Sequence, residues 1–380
     1  MPQVKFIKKP KDLSDIIPVS GFKEKKKKLL GLFLVLLFFV NFIFILSFLY
    51  LSKQTEGSKI KQDNKAVKFS PENSQESSAA YTNFSDLNPT FDEAADSNIN
   101  SYDKNNDGIS LLFGGDMMFD RNIRLAGEKK SYEFILGDLS VVLMDKDLAV
   151  ANLEGPISDF ASVSVGSQVG SPQNFLFTFS SKIGKLLNSF NIKLVSIGNN
   201  HINNFGEEGV KQTKKYLQDH GIDYFGDTGE NEQKTITVSL KGKKISFVNY
   251  NQFVYPDLEG VIQNIKNLRP YSDYLIVYAH WGNEYETTPT SQQTDLAHSF
   301  IDAGADFIIG SHPHVVQTKE EYKGKMIYYS LGNMVFDQYF STETQKGLLI
   351  EADINTDSDS ISFKETTIRL EVNGQTVLDH

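Results

Sequence analysis

The 380-residue chain contains no cysteine. Disulfide staples, thiolate nucleophiles and cysteine-ligated zinc are therefore excluded, and the composition is compatible with an oxidising, extracytoplasmic setting. Tryptophan occurs once. A basic excess is also missing. The net charge is −10, and residues 1–28 contribute +6 through nine lysines against Asp12, Asp15 and Glu24, which leaves the remainder near −16. So acidic a body lacks the basic footprint that DNA or RNA binding requires, and nucleic acid is not expected as a partner. No internal repeat at a solenoid or propeller period is present.

Long apolar runs are scarce too, with one exception. Leu29–Leu51 carries no charge and is apolar apart from Asn41 and Ser47. At about 1.5 Å per residue it reaches roughly 34 Å, enough to cross a bilayer core. Lys23 and Lys25–Lys28 precede it, whereas only Lys53 follows closely. The positive-inside rule puts the N-terminus in the cytoplasm and the C-terminal body outside. A cleaved signal peptide would have a shorter apolar region ending in small residues, so an uncleaved cell-membrane anchor is expected. The expected organisation is a cytoplasmic basic tail (1–28), a single-pass signal anchor (29–51), a flexible polar linker (52–108) and a globular domain (109–380).

What is present in the body is alternation. Strand-like runs occur at 110–113, 147–151, 193–197, 222–225, 244–249, 274–279, 306–309, 326–330, 347–353 and 360–370. Helical patterns lie near 131–145, 181–190, 206–219, 257–268 and 291–303. In the third of these, Glu207 and Glu208 open the first turn, Lys211, Lys214 and Lys215 follow, and Gly221 stops it, as dipole and capping preferences dictate. Strand and helix in alternation predict an α/β layered fold. The all-β stretch 326–370 predicts a second sheet packed on the first. Asp103–Ser110 has the opening offsets of a calcium loop, but Gly114 stands where a bidentate glutamate is needed, so a turn is the better reading.

Five polar clusters follow apolar runs directly: GGDMMFD, ANLEG, GNNH, HWGNE and GSHPH. Ligands of α/β domains gather at the carboxyl ends of strands, so clusters repeated there point into one crevice. Asp116, Glu154, Asn200, His280, His312 and His314 form a mixed oxygen and nitrogen set that suits two divalent metal ions. Asp116 also has the type of a helix N-cap, and Glu154 that of a surface turn. His312 and His314 flank Pro313 and give the strongest local metal signal. His201, beside Asn199 and Asn200, is the expected general acid. Trp281 is expected as a pocket wall or core plug, and Glu284 as a partner of a ligand histidine or a substrate contact. His220, His298 and His380 are expected to lie outside the site.

Taken together with SLGNMVFD (Ser330–Asp337), these clusters resemble the CapA family of poly-γ-glutamate capsule synthesis proteins, within the calcineurin-like metallophosphoesterase superfamily. The resemblance covers roughly residues 110–340. It implies a four-layer α/β-β/α sandwich, a binuclear centre of Mn, Zn, Fe or Mg, and a role in making, exporting or anchoring polyglutamate at the cell surface. Capsule polymer synthase subunits and the polymer itself are the implied partners. Asp116, Glu154, Asn200, His280, His312 and His314 match its metal shell, His201 its proton donor, and Asn333 a position that helps close the pocket. Two departures stand out. Met118 replaces a metal-binding histidine, and a thioether is a poor ligand for such cations. Asn204 replaces an aspartate behind His201, and an amide stabilises an imidazolium less than a carboxylate does.

Overall fold

The apolar runs that end in polar clusters fold as parallel strands whose carboxyl ends converge. In a computed structural model of the chain, residues 108–228, 233–254 and 256–379 are described. The expected basic tail, anchor, linker and Asp103 turn lie outside them, as does His380.

One sheet contains β1 (Ile109–Met117), β2 (Leu148–Leu153), β3 (Ile192–Ser196) and β4 (Asp223–Phe225) in parallel succession. The second contains β5 (Thr235–Leu240), β6 (Lys243–Asn251), β7 (Tyr274–His280), β8 (Phe307–Ser311), β9 (Lys319–Tyr322) and β10 (Lys325–Tyr328). Within it, β6, β7, β8 and β10 run parallel. Parallel strands need crossover helices. On the first sheet these include α1 (Arg121–Lys129), α2 (Lys182–Ser189) and α3 (Gly206–Asp219). On the second they are α4 (Leu258–Leu268) and α5 (Ser291–Ala303).

Three apolar clusters stack these parts into four layers. Phe113, Val150, Leu194, Phe247, Ile276 and Phe307 fill the seam between the sheets. Ile123, Leu187, Ile197 and Leu217 pack helices onto the first sheet, while Ile265, Trp281, Leu296 and Phe300 do so on the second. The observed order is helix, sheet, sheet, helix, the α/β-β/α sandwich that was expected.

The late strands depart from expectation. Only β10 joins the second sheet. β12 (Lys346–Asn355) pairs antiparallel with β1, and β13 (Ser360–Leu370) and β14 (Thr376–Leu378) extend the first sheet outward. Without β12, β1 would present an open edge beside the polar clusters, and edges are a liability that folds cover. The pattern at 131–145 is likewise broken, into single turns at Glu133–Leu136 and Ser140–Leu143 joined by a 3-10 turn.

The strand ends sit at a fixed height because the seam is pinned. Phe113 meets Phe307 edge-on with ring centres 5.4 Å apart, and the Tyr278 hydroxyl donates to the Gly114 carbonyl across the two sheets. A short strand, β11 (Asn333–Val335), then lies along the end of β1 and pairs Asp116 with Asn333. Gly115 permits this approach, since a Cβ there would stand 1.9 Å from the Gly332 carbonyl oxygen. Gly115→Ala is therefore expected to cost about 2 kcal/mol or more in urea unfolding, the usual penalty for overpacking. Gly137→Ala, where a Cβ meets nothing within 4 Å, is the neutral control. Equal midpoints for the two variants would refute the packing of β11 on β1.

Candidate metal centre

Residues at the ends of β1 and β2 supply the carboxylates. Asp116 is fully buried in β1. Its Oδ1 accepts from Asn152 Nδ2 at 2.8 Å and its Oδ2 from the His312 backbone N–H at 3.0 Å, a bond that crosses from one sheet to the other. Glu154 follows β2 immediately and is also fully buried, yet neither of its oxygens has a hydrogen-bond partner. Leaving a buried carboxylate without a donor is costly. His314 Nε2 stands 3.5 Å and His201 Nε2 3.9 Å from Glu154 Oε1.

The loop after β8 brings in two imidazoles by strained backbone. His312 and His314 have φ of 97° and 58°, values few side chains other than glycine adopt. Asn333 Oδ1 lies 3.1 Å from His314 Nδ1, which turns Nε2 toward Glu154. His312 Nδ1 is buried with no partner. At the end of β7, His280 Nδ1 lies 2.9 Å from Ser311 Oγ, and the Ser311 hydroxyl donates to the Ala279 carbonyl. That arrangement leaves His280 Nε2 beside Asn200 Oδ1, at 2.9 Å. Holding one ring nitrogen so that the other is free is how proteins prepare a metal-binding histidine.

Two donor groups result, and they overlap. Asp116, Glu154 and His314 can place one ligand atom each within 4.8 Å of one another, and so can Glu154, His280 and His312. Donors at about 2.1 Å from one cation stand roughly 3–4 Å apart, so groups gathered within 4.8 Å are near the spread of a shared coordination sphere. A buried group of this composition suits divalent metal binding. Glu284, exposed at the mouth, forms a third group with His312 and His314.

The remaining expected residues divide. Asn199 ties the loop from within, donating to Asn152 Oδ1 and the Leu153 carbonyl and accepting from the His201 N–H. His201 packs on Phe177 with centroids 4.4 Å apart, and its Nδ1 lies 3.2 Å from Asn204 Oδ1. Trp281 takes the second of its two expected places, and the substrate-side place is not its own. It is fully buried in the core on the helix side of the second sheet, with Nε1 bonded to the Tyr329 carbonyl, so it plugs the core and does not line the pocket. Met118 turns its sulfur to the Asp120 N–H at 3.0 Å, inside the first sheet's core. His220 caps α3, and His298 pairs with Glu320 on the far side of the second sheet.

Sequence reading missed two groups. Asn152 bridges Asp116 and Asn199, and its place two residues before Glu154, on one face of β2, was the available signal. Arg121, stacked between the Phe177 and Phe336 rings at 5.1 and 5.4 Å, carried no signal of its own.

Residues 110–338 match the model of the bacterial capsule synthesis protein family PGA_cap. The chain belongs to that family. It is 29% identical over 262 residues to the PGA biosynthesis protein CapA of Bacillus subtilis (strain 168), covering 64% of this chain and 67% of that one. It is 27% identical over 269 residues to the capsule biosynthesis protein CapA of Bacillus anthracis, covering 65% and 64%. The chain thus spans about two thirds of the length of these relatives. A hypothetical protein from Thermus thermophilus aligns in structure with a TM-score of 0.44 and 17% identity, over 68% of this chain and 98% of that one.

Titration within the site has opposing parts. Burial lowers His280 to about 3 against the pull of the Asp116 charge, and burial, then the neighbouring imidazoles, lowers His312 to about 2. Burial also lowers His201, to about 4, against the pull of Asn204. Glu154 is pushed well up by burial and then by the Asp116 charge. For Asp116 burial works against ionisation, yet the His314 hydrogen bond and charge hold it down at about 2. In the metal-stripped protein, unfolding between pH 6.5 and 4.5 lets three histidines take up protons that the folded state refuses. Glu154 alone works the other way, since it keeps a proton when folded and releases it when unfolded above its ordinary value. The unfolded state binds more protons in that window, so stability is expected to fall as pH drops from 6.5 to 4.5. Urea midpoints of EDTA-treated protein that stay flat or rise as pH falls through this window would contradict the assignment.

Proposed function

We propose that the chain is a membrane-anchored, extracytoplasmic hydrolase of capsule-polymer production that works with two divalent cations. The two Bacillus relatives bear the names of PGA and capsule biosynthesis proteins, and polyglutamate and the subunits that polymerise it are the partners this reading assigns. Leu29–Leu51 and the lysines before it support the anchor and its orientation. The observation that carries the reading is Glu154, one buried carboxylate without a donor, common to two donor groups.

In this reading Glu154 would serve both cation sites, since it belongs to both donor groups. Asn200, His280 and His312 would hold one cation with it, and Asp116 and His314 the other. The mixed donor set is compatible with Mn, Zn, Fe or Mg. The chemistry that divalent cations supply at such a donor set is Lewis-acid polarisation of the substrate and a nucleophile at neutral pH. His201 protonates the leaving oxygen of a phosphoester. Burial keeps it neutral beforehand, and an anionic substrate raises its proton affinity, so the proton is taken up with the substrate. Asn204 orients the ring through Nδ1, while Asn333, Asn152 and Asn199 hold the ligands in register.

The two centres differ. One has four protein donors, Glu154, Asn200, His280 and His312. The other has three, because the Met118 sulfur is committed to the Asp120 N–H. Extensive dialysis is expected to leave about one tightly held Mn²⁺ or Zn²⁺ per chain, with a second regained only at higher metal concentration. His312→Ala should remove the tight equivalent. Two equivalents of equal affinity would reject this asymmetry.

The function is tested on the purified full chain with a phosphodiester, a phosphomonoester and poly-γ-glutamate as substrates. Phosphoester turnover that falls about 10²–10⁴-fold in His201→Ala, at unchanged metal content, is the expected result. Glutamate release without phosphoester turnover would assign a γ-glutamyl amidohydrolase to the same donors. Absence of both metal and turnover would leave a polymer-binding accessory in place of an enzyme.

A further inference from the structure

Arg121 stands out among the groups that metal ligation leaves unused. It opens α1 with φ of 50°, a left-handed conformation that costs an arginine steric strain. Its guanidinium lies between Phe177 and Phe336. Phe177 packs on His201 and Phe336 on His314, so the charge sits one aromatic layer from the proton donor and from a ligand of the three-donor centre. Nη2 pairs with Asp337, and Nη1 reaches Asn174 Oδ1 at 3.3 Å and the Asn174 carbonyl at 3.5 Å. Nε is buried and has no acceptor.

A strained backbone, a cationic group held rigid on three sides and a buried N–H left open describe a residue prepared for an oxygen that the chain does not supply. We propose that Arg121 is a substrate-binding residue whose Nε edge takes an oxyanion, phosphate or α-carboxylate, carried by the substrate next to the bond that reacts. The inference rests on the two-cation reading above and narrows the substrate to one with an anionic group at the reacting centre. Asp337 is then a positioning residue that fixes the guanidinium and tempers its charge. A planar fork matches an oxyanion in a way that a lysine ammonium does not.

The test uses the full chain loaded with Mn²⁺ and calorimetric binding of two probes, orthophosphate and a short γ-glutamate oligomer. Arg121→Gln and Arg121→Lys are each expected to weaken binding of one probe about tenfold or more, the loss of a charge-assisted hydrogen bond. Mn²⁺ stoichiometry and the circular dichroism spectrum should be unchanged. The probe that loses affinity names the source of the oxyanion. Asp337→Asn, which frees the guanidinium from its counter-charge, should bind that probe equally well or more tightly. If Arg121→Lys binds both probes as the unmodified chain does, the inference is overturned. Equal weakening in Arg121→Lys and Asp337→Asn would overturn it as well, since the pair would then be a structural clamp. Failure of the unmodified chain to bind Mn²⁺ would instead sink the two-cation reading, an outcome recorded before any probe is added.

Discussion

The bond from the His312 backbone N–H to Asp116 Oδ2 joins the two sheets at the end where the chemistry-bearing residues collect. Everything else at the site depends on those strand ends being level. The seam of Phe113, Phe247 and Phe307 sets the separation of the sheets, and the Tyr278 hydroxyl on the Gly114 carbonyl sets their relative height. A slip of one residue along either sheet would turn alternate side chains to the wrong face and carry Asp116 or His280 out of the cluster. Packing of apolar side chains, which has no direction of its own, is made directional here by hydrogen bonds across the seam, these two and the one from Asn249 Nδ2 to Ser196 Oγ among them.

The cluster held at that seam is poorly satisfied by the protein alone. Glu154 has no donor, His312 Nδ1 has no partner, and His312 and His314 both occupy left-handed backbone. Each of these departures costs stability. They would share one remedy, since a divalent cation would give Glu154 a counter-charge and the free imidazole nitrogens an acceptor of their lone pairs. By contrast, the groups one step back, Asn152, Asn199, Asn333 and Ser311, are all hydrogen-bonded. A scaffold that satisfies its second layer and leaves its first layer open is organised around something added from outside.

Much of this was legible in the sequence because the period-2 and period-3.6 signals agree with the layers. All ten strand-like runs became strands, and the patterns at 181–190, 206–219, 257–268 and 291–303 became α2 to α5. Asp116, Glu154, Asn200, His280, His312 and His314 were recognisable because each sits where an apolar run stops. The assignment of 326–370 to one sheet failed because pairing partners are set by which edge is left open, and β1 offered an edge that no local pattern records. β5, β9, β11 and β14 were missed for a related reason, since short edge strands owe their form to a neighbour. Of the two places expected for Trp281 the core is the one it takes, because a residue next to His280 falls on the opposite face, in the helix-side core. Arg121 was invisible because its placement comes from two rings, Phe177 and Phe336, that lie far along the chain from it and from each other.

Met118 and Asn204 link these themes. Each is a substitution that a resemblance marks as a loss, yet each is well placed in the structure. The Met118 sulfur takes the Asp120 N–H within the core beneath the first sheet, and Asp120 in turn accepts from Ser164 Oγ and from the Thr178 N–H. Asn204 accepts from the Phe177 N–H as well as facing His201, so it sets the ring on which His201 rests and against which Arg121 stacks. A neutral amide at that point leaves the imidazole without a permanent counter-charge. Protonation of His201 must then be favoured by what enters the pocket, not by the protein behind it. The same argument would apply to a cation held by Asp116, Glu154 and His314, a group of three protein donors. On the proposed two-cation reading, both departures would shift the site's demand from the scaffold to the molecule bound there, and both would favour an anion.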